Sequence, residues 1–215
     1  GTAGYPVEPI DIDVPVRHLH ATRATVTLTD KTFRLYNHNR QRTLDVLEMA
    51  RIVHGLSAEA FQETPCVFAS INPNSPREYD ESMLWGMIEC ALAGQVLMIS
   101  PFILAGAMAP SSLAGALTQQ NAEALAGIAF CQMVRAGTPV AYGGFVSNAD
   151  MKSGAPAFGT PEHVKTTLVI GQMARHYGLP YRAANANASN AVDAQAAYES
   201  QMCLWACLVS GATYV

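Results

Sequence analysis

The sequence predicts an α/β chain that forms part of a (β/α)8 TIM barrel. Short apolar runs recur about every 30 to 45 residues, each leading through a polar loop into an amphipathic helix. That spacing suits β/α units whose crossovers give parallel strands. Gly94, Gly137, Gly178 and Gly211 stand where the helices should end, as left-handed caps require. Polar, Gly- and Pro-rich residues follow four strands in succession. An open doubly wound sheet also fits the rhythm, but the GxGxxG signature is absent after every strand. A barrel gathers the loops at its strand carboxyl ends around one site, which suits the recurring polar loops. About five β/α units and a stump are present where a barrel closes with eight, so an incomplete portion is expected.

Residues 1–30 read as an N-terminal segment leading into the barrel, and 31–215 as the partial barrel and catalytic domain. Val14 to Thr29 fits a helix, with His18, Thr22, Thr25 and Thr29 on one face, and equally a strand through Thr25-Val26-Thr27-Leu28. A first strand is expected at Thr32 to Tyr36, with a helix from Arg42 to His54. A second, Cys66 to Ile71, leads through Asn72-Pro73-Asn74-Ser75-Pro76 into a helix from Arg77 to Ala93. A third, Val96 to Ser100, leads through a long loop with Pro101, Gly106 and Pro110 into a helix from Ser112 to Ala136. The fourth, Val140 to Phe145, precedes a helix from Pro161 to Tyr177, where Thr160 can cap, Pro161 suits the first position and Glu162 favours the positive end. The fifth, Tyr181 to Ala184, precedes a helix from Val192 to Val209, and Thr213-Tyr214-Val215 reads as a sixth strand beginning.

Composition bounds the function. Half of the 215 residues are hydrophobic and 14% are charged, so the chain must bury much of itself, in a core or against other chains. A homo-oligomer is expected, because an unclosed barrel exposes strand edges and apolar surface. The net charge of -4 argues against a nucleic-acid partner, which leaves a basic stripe. No segment offers the apolar run of about 20 residues that a membrane span needs. The five cysteines show no CxxC or zinc-ribbon spacing and read as reduced, buried thiols of a cytoplasmic protein. The histidines form no ligand pattern apart from His18 and His20, which read as surface or loop, so no metal site is expected.

The stretch Thr138 to Glu162, TPVAYGGFVSNADMKSGAPAFGTPE, carries a buried strand and then a polar loop with Asn148, Asp150, Lys152 and Ser153. A loop of that length between a strand and a helix is usually functional. Together with INPNSPREYDESML (Ile71 to Leu84), PFILAGAMAPSSLAGALTQQNAEALAGI (Pro101 to Ile128), GLPYR (Gly178 to Arg182) and DAQAAYES (Asp193 to Ser200), it resembles the trimethylamine methyltransferase family. That family includes glycine betaine and other quaternary-amine methyltransferases lacking pyrrolysine. The resemblance implies a β/α barrel about twice this length, of which this chain is an internal fragment. It implies transfer of a methyl group from a methylated tertiary or quaternary amine to the Co(I) of a corrinoid (cobalamin) carried on a separate partner protein. Where pyrrolysine is absent, it favours a quaternary amine such as a betaine over trimethylamine.

Demethylating a quaternary ammonium releases a neutral amine and needs little acid–base help. It needs a cation pocket and alignment, which aromatic faces and acidic or amide oxygens supply. Asn148 and Asp150 are the catalytic candidates, directly after the fourth strand. Tyr142, Phe145, Phe158, Asn72, Phe102, Asn185 and Arg182 are the substrate-binding candidates, Arg182 for a betaine carboxylate. Phe68, Tyr181 and Asn187 also stand near strand ends. Each has a plainer reading. Phe68 and Tyr142 fit a core, Asn72, Asn74 and Ser75 fit caps of the next helix, Asn185 and Asn187 fit turns, and Asp150 fits a partner of Lys152 or of backbone amides. Glu78, Glu81 and Glu89 fit a solvated helix face, and Gln119, Gln120, Asn121 and Glu123 an outer face or subunit interface. A second functional class stays open, a non-catalytic barrel fragment or scaffold that binds a partner or a small cation.

Overall fold

The computed structural model describes residues 2–3 and 8–215; residues 1 and 4–7 of the expected N-terminal segment lie outside the described residues. The chain is a mixed α/β structure with parallel strand pairs and seven helices among the described residues. No helix is long and apolar enough to cross a membrane among the described residues. The chain divides into two compact units.

The first unit comprises Gly1–Ile71, Tyr79–Met98 and Phe130–Pro139. Its elements are β1 (Thr2–Ala3), α1 (Val14–Leu28), β2 (Thr32–Phe33), α2 (Arg40–Val53), α3 (Ala58–Glu63), β3 (Phe68–Ile71), α4 (Glu81–Leu92) and most of β4 (Val96–Ile99). β1 and β2 pair in parallel, and Arg34 bridges Phe68 in parallel. The ambiguous segment before Thr32 is helix α1, which turns His18 and Thr22 inward. His18 is therefore buried rather than at the surface, with Nε2 at 2.8 Å from Asp45. Glu89 is not on a solvated face either. It is 7% exposed and accepts from Arg40 Nε at 2.7 Å. The short helix α3 has no counterpart in the sequence reading. Ser57 caps it, and the fully buried Gln95 amide closes the space beneath it, donating to Phe61 O at 2.8 Å and accepting from Cys66 N at 2.9 Å.

The helix expected from Arg77 starts at Glu81. Its cap is Asp80, which accepts from Met83 N at 2.8 Å. Asn72, Asn74 and Ser75 do not cap it. Asn74 and Glu78 exchange backbone hydrogen bonds instead, which closes a tight hairpin between β3 and the helix.

The second unit comprises Asn72–Glu78, Ile99–Ala129 and Val140–Val215. It holds β5 (Phe102–Ala105), most of α5 (Leu113–Val134), β6 (Val140–Gly143), β7 (Phe145–Ala149), β8 (Pro156–Ala157), α6 (Pro161–His176), β9 (Tyr181–Arg182) and α7 (Ala194–Val209). β5 and β7 run parallel with Phe102 opposite Phe145 and Ala105 opposite Asn148. β6 and β9 run parallel with Tyr142 opposite Tyr181, and β8 folds back antiparallel on β7. Tyr214 bridges Arg182 in parallel, so the last residues do begin another strand. The core is built from Ile103, Tyr142, Val146, Ile170, Tyr181 and Cys207.

The strands of this unit depart from expectation in two places. The loop after Val96 to Ser100 contains a strand, β5, because Pro101 kinks the chain without ending its extension. The strand expected to end at Phe145 breaks at Gly144 and resumes as β7, so Asn148 lies on a strand and not in a loop. The break needs glycine for space. A Cβ on Gly144 would meet Gln120 Nε2 at 2.8 Å, and one on Gly143 would overlap Ser100 Oγ. The caps at Gly94, Gly137, Gly178 and Gly211 all have positive φ.

Helices α6 and α7 meet through Gly171, where an added Cβ would lie 2.5 Å from Ser210 O. Gly171→Ala is expected to cost about 1–3 kcal/mol of stability through overpacking, measured by urea denaturation; a neutral or stabilising result would show that the helices separate freely.

Candidate functional site

The two strand breaks set the level of the site. Phe145 N donates to Pro101 O at 2.9 Å, so β5 and β7 restart side by side just past the breaks. Their first residues are Phe102 and Phe145, and parallel register stacks the rings at 5.3 Å and 16°. Phe158, just after β8, meets Phe145 edge-on at 5.0 Å and Phe102 at 6.4 Å. His163 in the first turn of α6 adds a fourth ring, 4.8 Å from Phe145 at 71°. Phe102 and Phe158 keep part of their surface open to solvent.

Hydrogen bonds fix the hairpin that carries Phe158. Ser147 Oγ donates to Ala157 O at 2.6 Å. Thr160 Oγ1, which also caps α6, lies 2.9 Å from Asn148 Oδ1 and 3.1 Å from Ala157 O. Asn148 thus ties the end of β7 to the start of α6. Burial pushes the His163 pKa down to about 4, which keeps the ring neutral at pH 7. Gly159 N donates to its Nδ1 at 3.4 Å, and Cys203 Sγ lies 3.6 Å from the same nitrogen. An acceptor at Nδ1 assigns the ring proton to Nε2. Cys203 also donates to Ala186 O at 3.1 Å, which joins the loop after β9 to the same cluster.

The expected residues divide accordingly. Phe102, Phe145 and Phe158 come together, with Asn148 on the strand that carries Phe145. Asp150 is exposed at the next turn, where its carboxylate accepts from Ser153 N at 3.0 Å and Ser153 Oγ at 2.5 Å. The Ser153 hydroxyl, with the neighbouring amides, holds it below the usual carboxylate range. Tyr142 is fully buried, with its hydroxyl 2.8 Å from Asn121 Oδ1, and desolvation raises its pKa to about 12. Tyr181 donates to Thr167 O at 3.1 Å inside the core, and Phe68 is buried in the first unit. Asn72 and Asn185 stand exposed in the loops after β3 and β9, and Asn187 donates to Ser200 Oγ at 2.8 Å. Arg182 is half-buried on β9 opposite Gly143.

The sequence reading missed His163, whose contacts with Phe145 and Cys203 are remote in sequence. It also misplaced the polar run of α5. Gln120 and Glu123 face inward, 1% and 2% exposed. Gln120 Nε2 donates to Gly143 O at 2.8 Å, at the strand break. Glu123 accepts from Ser75 Oγ at 2.6 Å, Arg77 N at 2.8 Å and Gln119 Nε2 at 2.9 Å. Four amide and carboxylate side chains in an otherwise apolar helix were the visible signal.

The chain is similar to known proteins along its whole length. The trimethylamine methyltransferase (MTTB) family model matches residues 1–215. The chain is 40% identical over 215 residues to the glycine betaine methyltransferase of Desulfitobacterium hafniense (strain Y51), covering all of this chain and 45% of that protein. It is 28% identical over 211 residues to trimethylamine methyltransferase MttB of Desulfitobacterium hafniense (strain DSM 10664 / DCB-2), covering 98% of this chain and 42% of that protein. It is 31% identical over 143 residues to the proline betaine:corrinoid methyltransferase of Eubacterium limosum, covering 66% of this chain and 30% of that protein. The chain therefore spans less than half the length of these curated relatives.

The depressed pKa of His163 has a signed consequence. Between pH 6.5, its ordinary value, and about 4, the unfolded chain binds a proton here that the folded chain refuses. The stability contributed by neutral His163 is complete above that window and is lost as pH falls through it, up to about 3 kcal/mol. His163→Asn keeps an acceptor near Nδ1 without a titrating ring. Wild type is expected to lose more stability than this variant between pH 7 and 4.5 in denaturant titrations; parallel losses would refute the assignment.

Proposed function

The chain belongs to the trimethylamine methyltransferase family, and from that premise we propose that the whole protein moves a methyl group from a methylated tertiary or quaternary amine to the Co(I) corrinoid of a partner protein. The observation that carries the proposal is the match over all 215 residues to a glycine betaine methyltransferase. The chain would then be a portion of a β/α barrel, entered through residues 1–30, with the strand breaks at its carboxyl rim. The same match, to a methyltransferase and not to a binding module, disfavours a non-catalytic scaffold. A cytoplasmic protein fits this reading, since five free thiols and Co(I) both need a reducing compartment.

The residues suit the chemistry. The cluster of Phe102, Phe145, Phe158 and neutral His163 presents aromatic surface with no fixed positive charge of its own. Such faces attract a methylated ammonium and hold it without donating a proton. When the C–N bond breaks, its electron pair stays on nitrogen and the amine leaves neutral. The corrinoid, when presented by its partner, supplies the electron pair that takes up the methyl group. The chain's own part is to bind, orient and exclude water. Asn148 holds the hairpin that positions Phe158, and Asp150 places a negative charge at the loop beside it. Alignment of donor and acceptor is the main catalytic contribution such a site can make.

The full-length protein, a Co(I) corrinoid protein and a panel of betaines and trimethylamine are expected to give the absorbance change of corrinoid methylation. No change with any methylated amine would end the proposal. Phe145→Leu is expected to raise KM for the amine on the order of tenfold, with a smaller effect on kcat, because it removes a face from the cation. An unchanged KM would remove the aromatic cluster from the substrate site.

A further inference from the structure

A second constellation in the same unit shares no residue with the aromatic cluster. The hairpin after β3 presents Arg77 at φ 59°, and among the described residues no other non-glycine residue has a positive φ. Two features hold that conformation. Asn74 and Glu78 exchange backbone hydrogen bonds across the hairpin. The buried Glu123 carboxylate accepts from Arg77 N and Ser75 Oγ. A strained residue persists only where its surroundings over-determine it, and such residues cluster at binding sites. The guanidinium so presented is exposed and has no hydrogen bond or ion pair among the described residues.

Arg77 stands on the wall of a groove of about 800 Å³, with Pro76, Met108, Pro110, Gly115 and Gln119. The orientation of Gln119 follows from its neighbours. Its Nε2 donates to Glu123 Oε1 at 2.9 Å and to Met108 O at 3.0 Å, and both of those groups only accept. The amide oxygen is therefore turned away from them. The groove thus combines a forked cation, a free amide oxygen and small apolar walls. A molecule that carries a carboxylate and a quaternary ammonium a few bonds apart complements all of these. The carboxylate takes the guanidinium fork, while the polarised N-methyl groups take the oxygen and the apolar walls.

We propose that this groove is a binding site for a quaternary ammonium carboxylate, with Arg77 reading the carboxylate and Glu123 acting as the positioning residue for Arg77. The proposal rests on the methylated-amine reading above and narrows it to betaines. It assigns carboxylate recognition to Arg77 rather than to Arg182, which is half-buried on a strand.

The test is calorimetric titration of the full-length protein with glycine betaine and with tetramethylammonium, which has the cation without the carboxylate. Arg77→Gly suits the left-handed backbone and removes the guanidinium, and Arg77→Asn is the second variant for the same reason. Both are expected to weaken glycine betaine binding at least about tenfold, the loss of one charge-assisted hydrogen-bond pair, and to leave tetramethylammonium within about twofold. Glu123→Gln is expected to shift betaine affinity in the same direction by less, with the same selectivity. Unchanged betaine affinity in the Arg77 variants, or equal weakening of both ligands, would overturn the proposal. Corrinoid methylation measured alongside separates the two readings. Methyl transfer from betaine with an unchanged KM in Arg77→Gly removes the groove and leaves the function. Arg77-dependent betaine binding without methyl transfer to the corrinoid leaves the groove and removes the function.

Discussion

The second unit depends on one close approach of backbone to side chain, at Gly143-Gly144. There the chain must pass Ser100, Gln120 and Ile170 with no room for a Cβ. The glycines let an extended segment stop at Gly143 and restart at Phe145 in register with a second segment restarting at Phe102. Without that coincidence the two rings would sit at unrelated heights. The strand pair would be continuous, and its side chains would alternate through the core in place of a ring cluster just beyond it.

Helix α5 enforces the arrangement with polar groups that the core would otherwise reject. An unpaired buried amide or carboxylate costs a few kcal/mol, so each must find partners. Gln120 finds Gly143 O at the strand break, while Glu123 and Gln119 find the loops after β3 and β5. One helix therefore sets both the level of the strand break and the shape of the Arg77 hairpin. Gly143 O, Arg77 N and Met108 O among the partners are backbone atoms, so the helix specifies chain path as well as side-chain packing.

The periodic parts of the fold were legible in the sequence. Thr160-Pro161-Glu162 starts α6 as read, and the glycines that end helices do so with positive φ. What escaped were places where a local signal had a non-local answer. Asn72 to Ser75 look like caps, but the hairpin closes on Glu123, far along the chain, and leaves capping to Asp80. Pro101 and Gly106 look like loop punctuation, but they flank four residues paired to β7. The site divides in the same way. Three aromatic residues chosen for their positions beside strand ends do meet. His163 went unread because its partners lie on β7 and α7. Tyr142 stood among the cage candidates, yet alternation on a buried strand turned it to the core.

Neutrality links these observations to chemistry. A cation site beside a titrating imidazole would weaken whenever the ring took a proton. Burial prevents this at His163 by making the charged form expensive, and the acceptor role at Nδ1 further favours the neutral ring, since the Gly159 amide must point at a lone pair. Arg77, an exposed positive charge, is set on its own hairpin and faces a groove with other walls. The unit thus offers two chemistries, aromatic surface without a fixed charge at the Phe145 cluster and a guanidinium at the Arg77 groove.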